Sequence, residues 1–301
     1  MPCLLCAAAT RSYFPYGKFI HLPYGLFRCA ACGLVQTEPM PSSEFLKDWY
    51  QRYDVLGERE PYYHGVMVDD PWSTMDGREA GERFEMAQRV VDGSLSMTHG
   101  FPIRVLEIGS GHGLFLALVK QAGWHGVGVE LNQRAADVSR ERFDLEVRQG
   151  TIESVELAPL SFEVITLWDI FEHVNDPRGL LSLAHDLLVP AGLLILETPN
   201  LSSLLDKTVM ALARIGITGP ARTFYGLHHL TLWNPKTIRC ILRETGFELK
   251  EILFVSTPAV RVFRGGGLRD IIGRWAVDAA QGLGRLLKRQ NKMMVVAQKI
   301  L

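Results

Sequence analysis

From Pro102 to Lys299, short and nearly continuous apolar runs alternate with segments whose apolar positions recur every three or four residues. Runs of the first kind suit strands covered on both faces, and spacing of the second kind suits amphipathic helices. The pattern predicts strands over Ile103–Ile108, Gly126–Leu131, Leu145–Arg148, Phe162–Trp168, Gly192–Glu197, Glu248–Val255 and Met293–Lys299. It predicts helices over Gly113–Ala122, Gln133–Arg142, Pro177–Leu188 and Pro235–Thr245, the last closed by Gly246. Parallel neighbours need a crossover connection, so the alternation implies an α/β fold with a mostly parallel sheet and helices on both faces. Such a sheet binds its ligands at the carboxyl ends of its strands.

The first hundred residues follow a different pattern. Residues 1–40 are turn-rich and carry cysteines, whereas 41–98 read as a polar helical connecting segment interrupted by Trp49, Tyr50, Tyr53, Tyr62 and Tyr63. Ser42 or Ser43 suits the N-cap of a helix containing Phe45, Leu46 and Trp49. The chain therefore divides into 1–40, 41–98 and 99–301. Its 301 residues are 47% hydrophobic and 22% charged, enough apolar side chain to bury a sizeable core. A formal net charge of -1 argues against nucleic acid as a partner. Met1–Thr10 lacks the basic and apolar regions of a leader, and no apolar run reaches bilayer length, so a cytoplasmic protein is expected.

Four of the five cysteines form two knuckles, Cys3-x2-Cys6 and Cys29-x2-Cys32, separated by 22 residues. Each knuckle can bring two thiolates to one ion through a tight turn, which Gly33 eases after the second. Four thiolates make a closed tetrahedral zinc site that stabilises a fold without activating water; four free thiols are the alternative. Cys240 sits in an amphipathic helical pattern and reads as a buried, inert thiol.

After the first strand of the alternating region comes Glu107-Ile108-Gly109-Ser110-Gly111-His112-Gly113, a glycine-rich turn into a helix. Alone this is a weak signal, since a tight turn explains it. The G-x-G-x-G spacing differs from that of pyrophosphate loops, however, and Glu130 ends the next strand 21 residues after Gly109, where a carboxylate can accept both hydroxyls of a ribose. This combination resembles the class I S-adenosylmethionine-dependent methyltransferases. The resemblance implies a seven-stranded Rossmann-like sheet with the last strand antiparallel, here preceded by a zinc-ribbon-like module. It implies that Glu107 and the loop of Gly109, Ser110, Gly111 and Gly113 face the methionine and sugar of the cofactor. Glu130 would hold the ribose with Leu131 beside it, Gly150, Thr151 and Ile152 would flank the adenine, and Trp168 and Asp169 would complete the cofactor site.

Trp168-Asp169-Ile170-Phe171-Glu172-His173-Val174 resembles the D-x-x-E-H-V stretch of the small-molecule O-methyltransferase branch, which includes ubiquinone-biosynthetic enzymes. The Pro190, Gly192 turn and Thr198-Pro199-Asn200 fit the same branch. The cysteine segment resembles zinc-binding segments of bacterial methyltransferases in sugar, polysaccharide and secondary-metabolite pathways. The implied activity is methylation, at oxygen, of a small molecule or a sugar- or lipid-linked intermediate. Rival readings are an RNA-modifying methyltransferase with a zinc module and a non-catalytic cofactor-binding interaction protein; near-neutral charge opposes the first and an intact Glu130 with its glycine loop the second.

Histidine suits deprotonation of a hydroxyl near neutral pH, which makes His173 the candidate base, with Glu172 orienting it or binding the acceptor. A structural role for His173 stays open, and His228, His229 and Tyr225 are further candidates for contact with the acceptor. Two insertions interrupt the pattern. Residues 201–227 carry an apolar face (Leu204, Leu205, Thr208, Val209, Leu212, Ile215) and read as a lid. Residues 256–290 carry a stripe that includes Leu268, Ile271, Ile272, Trp275, Leu283 and Leu286, with Ala276, Ala279 and Leu287 on the same line. The stripe can pack on the domain, rest on a membrane surface through 268–288, or meet a second subunit.

Overall fold

The computed structural model describes residues 2–14, 25–51, 68–94, 102–221, 229–261, 265 and 267–300. Tyr53, Tyr62, Tyr63, Tyr225 and His228 lie outside the described residues.

The cysteine-bearing segment forms three antiparallel strands, β1 (Thr10–Phe14), β2 (Gly25–Cys29) and β3 (Val35–Glu38), and every residue of β3 is buried. The connecting segment supplies α1 (Ser43–Gln51), whose start is capped by Ser42 Oγ accepting from Phe45 N–H at 3.2 Å, and α2 (Met75–Ser94). The alternating region then runs β4 (Arg104–Ile108), α3 (Leu114–Gln121), β5 (His125–Glu130), α4 (Gln133–Phe143), β6 (Glu146–Gln149), β7 (Phe162–Trp168), α5 (Pro177–Leu187) and β8 (Leu188–Pro199). It ends with α6 (Leu204–Arg214), β9 (Thr231–Leu232), α7 (Pro235–Glu244), β10 (Phe247–Val255), α8 (Leu268–Leu286) and β11 (Lys292–Lys299).

Seven strands form one sheet in the order β10-β11-β8-β7-β4-β5-β6, and only β11 runs against its neighbours. The expected α/β sheet with its last strand antiparallel is therefore present. Chain order reverses on the two sides of β4, which opens a crevice at the carboxyl end of that strand. Helix starts follow their local chemistry: Asp176 caps α5 by accepting from Gly179 N–H, and Asn234 with Thr237 forms a reciprocal capping box on α7, each followed by proline.

The fifth strand of this sheet begins four residues earlier than the pattern predicts. Pro190 and Gly192 read as a turn, but β8 already pairs at Leu188 and then bulges, so that Leu188 opposes Phe162 and Leu193 opposes Val164. Ala191 takes a left-handed φ of 60° within that bulge.

The cysteine segment does not stand alone. β3 pairs with β9, extending the small sheet with a strand from the other end of the chain (Val35 opposite Leu232). Cys3, Leu5, Cys29 and Leu34 are buried in the same cluster as Leu180, Leu181, Trp233 and Ile238. The Arg178 guanidinium, on α5, donates to the carbonyls of Leu4 and Leu5 and pairs with Glu244 of α7. Leu26, Val35 and Leu232 also pack with Val209 and Met210 of α6. Cys240 is half-buried rather than enclosed, its thiol donating to Glu244 at 3.2 Å.

Because Leu34 has no exposed surface and sits in the shared core, Leu34→Ala should cost about 2–5 kcal/mol. Urea unfolding followed by fluorescence should show one cooperative transition displaced to lower midpoint. A separate early transition, with the main one unmoved, would contradict the shared core.

Candidate active site

At the end of β4 the chain turns through Gly109 (φ 74°), Gly111 (φ 53°) and Gly113 (φ 80°). A Cβ on Gly109 would collide with the Ile170 side chain, whereas one on Gly111 would meet nothing and project into open space. The N–H groups of Gly109 and Ser110 donate to Val129 O, which holds the turn against β5. Glu130, at the tip of β5, accepts from Gly111 N–H on one carboxylate oxygen and from Asn132 N–H on the other, both at 2.7 Å. A carboxylate held in this way by backbone N–H groups has a fixed position and charge at the strand tip.

The loop opens into a cavity of about 1690 Å³. Its walls include Glu107, Gly109, Ser110, Gly111, Glu130, Leu131, Gly150, Thr151, Ile152, Trp168 and Asp169. The structure thus brings together all the expected cofactor residues except Gly113, whose missing Cβ faces Ser139 and Leu145 and which serves instead to start α3. Glu107 Oε2, Ser110 Oγ and Trp168 Nε1 are buried without a hydrogen-bond partner among the described residues, and all three side chains border the cavity. Buried polar atoms left this way are expected where a ligand completes the bonding.

The electrostatics of this edge are set by crowding. Glu107, Glu130, Asp169, Glu172 and Glu197 all lie at or just beyond the carboxyl ends of β4, β5, β7 and β8, with Glu79 of α2 facing them. Two cations answer them. Arg83 of α2 reaches Asp169 and Glu197 at 2.6 Å each, and Lys292 at the start of β11 reaches the same two at 2.7 and 2.8 Å. Burial opposes the charge of Asp169, but Lys292 and Arg83 overcome it and hold the carboxyl well below its ordinary value. Both cations are likewise stabilised in their charged forms against burial, Lys292 by Asp169 and Glu197, and Arg83 by Glu197 and Asp169. Asp169 keeps a left-handed φ of 56°, with its N–H donating to Glu197 O at 3.1 Å. Its carboxylate borders the cavity yet is occupied by this network. Arg83 also lies over the Trp168 ring, 5.4 Å from its centroid.

Two acids fall outside that compensation. Burial pushes the Glu107 carboxyl far up, and burial together with the nearby Asp169 charge raises Glu172 to about 8. Glu172 sits on the single helical turn after β7, where Thr198 Oγ1 donates to its Oε2 at 2.8 Å. Among the described residues its Oε1 has no hydrogen-bond partner, and the Nε2 atoms of His173 and His229 approach it to 3.9 and 4.0 Å. The two imidazole rings meet edge to face with centroids 5.0 Å apart, and Tyr50 of α1 meets His173 at 6.2 Å. Glu172, His173 and His229 all border the cavity. Such a cluster can accept and pass a proton, and its ligand atoms lie close enough together to hold a cation. The cluster of Glu79, Asp169 and Glu197 is comparably tight, but Arg83 and Lys292 already supply its positive charge.

The remaining walls come from α1 (Leu46, Tyr50), α6 (Leu205, Val209) and α8 (Ala276, Val277), so both insertions and the connecting segment enclose one space. Away from this cavity, the four N-terminal cysteines gather with Sγ–Sγ distances of 3.6 Å (Cys3 to Cys32) and 3.5 Å (Cys6 to Cys29). All four sulfurs lie within 4.8 Å of one another. Burial works against a charged Cys29, but N–H donation from Cys32 and Ala31 brings its thiol down to about 6.

Sequence reasoning missed Arg83, Lys292 and Glu197. Lys292 carried a faint signal, a cation immediately before an apolar strand; Arg83 carried none, because nothing local distinguishes it from other charges on α2.

Residues 82–252, more than half of the chain, match a family described as a methyltransferase domain, and the chain belongs to that family. The sheet order with its single antiparallel strand agrees with that membership. Among curated relatives, the chain is 32% identical over 164 residues to a ubiquinone biosynthesis O-methyltransferase of Maricaulis maris, covering 51% of this chain and 62% of the relative. It is 36% identical over 103 residues to the protein of the same description from Ruegeria pomeroyi, covering 33% and 42%. The chain thus spans less than two-thirds of the length of these relatives. Magnesium protoporphyrin IX methyltransferase from Synechocystis PCC 6803, solved with bound SAH, shares the fold with a TM-score of 0.54 at 13% identity, over 86% of this chain and 100% of that one.

The charge network makes two expectations. Lys292→Met leaves Asp169 and Glu197 to Arg83 alone, and near neutral pH it should cost about 3–5 kcal/mol. Its unfolding midpoint should approach that of the parent as pH falls toward about 4, where the released carboxylates take up protons; a loss independent of pH would assign the cost to packing. Glu172 binds its proton more tightly folded than unfolded, so it favours the fold below its ordinary value of 4.5 and loses that contribution as pH rises through about 8. Glu172→Gln should therefore flatten the decline in urea midpoint across that interval, and an unchanged slope would contradict a protonated Glu172.

Proposed function

We propose that this chain transfers the methyl group of S-adenosylmethionine to an oxygen of a small acceptor, either a free metabolite or a sugar- or lipid-linked intermediate. The observation that carries the reading is the meeting of Glu130 with the Gly109–Gly113 turn, where a carboxylate fixed by Gly111 N–H and Asn132 N–H and an open Gly111 border one cavity. The partnerless Glu107, Ser110 and Trp168 atoms fit an adenosine- and methionine-bearing ligand, which presents hydroxyl, amino and carboxylate groups. Membership of the methyltransferase-domain family and the names of the curated relatives support the same class and the choice of oxygen.

Glu130 would bind the ribose hydroxyls, Leu131 and Ile152 would flank the adenosine, and the glycine turn and Glu107 would lie along the methionine. The sulfonium of the bound cofactor supplies an already activated methyl group. The protein's task is then to align an acceptor oxygen and exclude water. A cavity of about 1690 Å³ exceeds the roughly 300–1,000 Å³ of a single-ligand site, which leaves space for an acceptor beside the cofactor. His173 or His229 would take the hydroxyl proton, with Glu172 orienting both imidazoles through Oε1.

The four cysteines would hold a structural zinc ion. Thiolates at about 2.3 Å from a tetrahedral zinc are about 3.8 Å apart, close to the separations found here. With four protein ligands such an ion has no open position, so its work would be to brace the small sheet and, through it, α1 along the cavity.

Isothermal titration should show S-adenosylmethionine binding with a stoichiometry near one, and Glu130→Ala should weaken it by about 1–3 kcal/mol through lost charge-assisted hydrogen bonds. Unchanged affinity would remove the basis of the assignment. A labelled-methyl screen over cell-extract fractions would then identify the acceptor. Cys29→Ser should lower bound zinc, measured by elemental analysis, from about one equivalent to near zero. Cofactor affinity should stay nearly intact, and its collapse would mean that the cysteine site belongs to the active centre.

A further inference from the structure

Helix α8 is built with its amphipathicity inverted. Its large apolar residues face water: Leu268 is 73% exposed, Trp275 77% and Leu286 83%, with Ile271, Ile272 and Leu283 also exposed along the same stripe. The opposite face is made of small residues. Gly273, Ala276, Val277 and Ala280 border the cavity, so Ala276 lies on this side and not on the apolar line its spacing predicts, and Gln281 donates to Thr257 O at 2.8 Å. Packing on the domain, the ordinary fate of such a stripe, is therefore not what α8 does. Ile215 and Ile217, following the contacting helix α6, add two more exposed apolar side chains.

We infer that this outer face docks on an anionic lipid bilayer and that the acceptor enters the cavity from the lipid side. Three observations favour a bilayer as the occupant. Residues 268–289 carry five basic residues (Arg269, Arg274, Arg285, Lys288, Arg289) against two acidic ones (Asp270, Asp278), in a chain whose net charge is -1. Arg285, Lys288 and Arg289 are exposed at the C-terminal end of the apolar stripe, where they can meet phosphate head groups. Trp275, near the middle of the stripe, suits the boundary between acyl chains and head groups.

The third observation is continuity. Ile272 belongs both to the exposed stripe and to the cavity border, so the cavity opens onto this face. An acceptor with an apolar tail can leave the bilayer along the stripe while its polar head reaches His173 and His229. At 19 residues α8 is about 28 Å long, and no helix among the described residues is long and apolar enough to cross a membrane, so the contact is one of lying on the surface. Docking is independent of the chemistry; the route of the acceptor rests on the methyltransferase reading.

The test is co-sedimentation of the full chain with vesicles of phosphatidylcholine containing roughly one-third phosphatidylglycerol, and with pure phosphatidylcholine. The parent protein should sediment with the anionic vesicles, less with neutral ones, and return to solution at high salt. Trp275→Glu combined with Leu286→Glu should lower the bound fraction about ten-fold. Both positions are exposed, so unfolding temperature and S-adenosylmethionine affinity should be unchanged, which separates failure of docking from failure of the cofactor assignment. Parent protein that stays in solution with anionic vesicles, or a double variant that sediments like the parent, overturns the inference. A parent dimer that the double variant dissociates, without vesicle binding, assigns the face to a second copy and overturns it as well.

Discussion

Carboxylates in excess of cations, buried together at one edge of a sheet, are the constraint around which this protein is organised. Five acids project from the ends of four strands, and an isolated ionised carboxyl in such a place is too costly to keep. Arg83 and Lys292 neutralise Asp169 and Glu197, and in doing so they bind α2, β7, β8 and β11 into one unit. Glu130 is held by backbone N–H groups instead. Glu107 and Glu172, left without adequate compensation, have their carboxyls pushed upward by burial, Glu172 to about 8. One crowded edge thus yields a fixed anion, a hydrogen-bond cradle and a carboxyl whose proton is held more tightly than usual within a single cavity, which are distinct chemical tools made from the same residue type.

The cavity borrows its walls from segments far apart in the chain. α1 follows the cysteine segment, α6 follows β8, and α8 fills what would otherwise be a short connection between β10 and β11. These walls support one another: the small sheet packs on α6 through Leu26, Val35 and Val209, and α6 touches α8. The cysteine cluster packs against Leu180, Leu181 and Trp233 and does not line the cavity. Walls built from insertions can differ in shape while the strand ends beneath them stay the same, and this is how one sheet accommodates different acceptors.

Much of this was legible from the order of residues. Strand and helix positions followed from periodicity, because a buried strand and an amphipathic helix impose different spacings on their apolar residues. The glycine turn with Glu130 was legible because both are local features, a backbone that must take positive φ and a carboxylate ending the next strand. The cysteine knuckles were legible because a C-x2-C spacing brings two thiols together through one tight turn, and the fold brings the two pairs within 4.8 Å of one another. The early start of β8 was not, since a bulge that tolerates Pro190 and Gly192 depends on the partner strand and not on the segment itself.

What the tertiary structure alone decided is which distant groups meet and which way each face turns. Arg83 and Lys292 stand more than two hundred residues apart and become partners of the same two acids only when α2 and β11 reach the same strand ends. His229 joins Glu172 and His173 by the same kind of convergence. The stripe on α8 shows the limit most plainly: the sequence determined that one face of that helix is apolar, but periodicity carries no information about direction. Only the fold, by placing Gly273, Ala276 and Ala280 over the cavity, turned the large apolar side chains toward the outside.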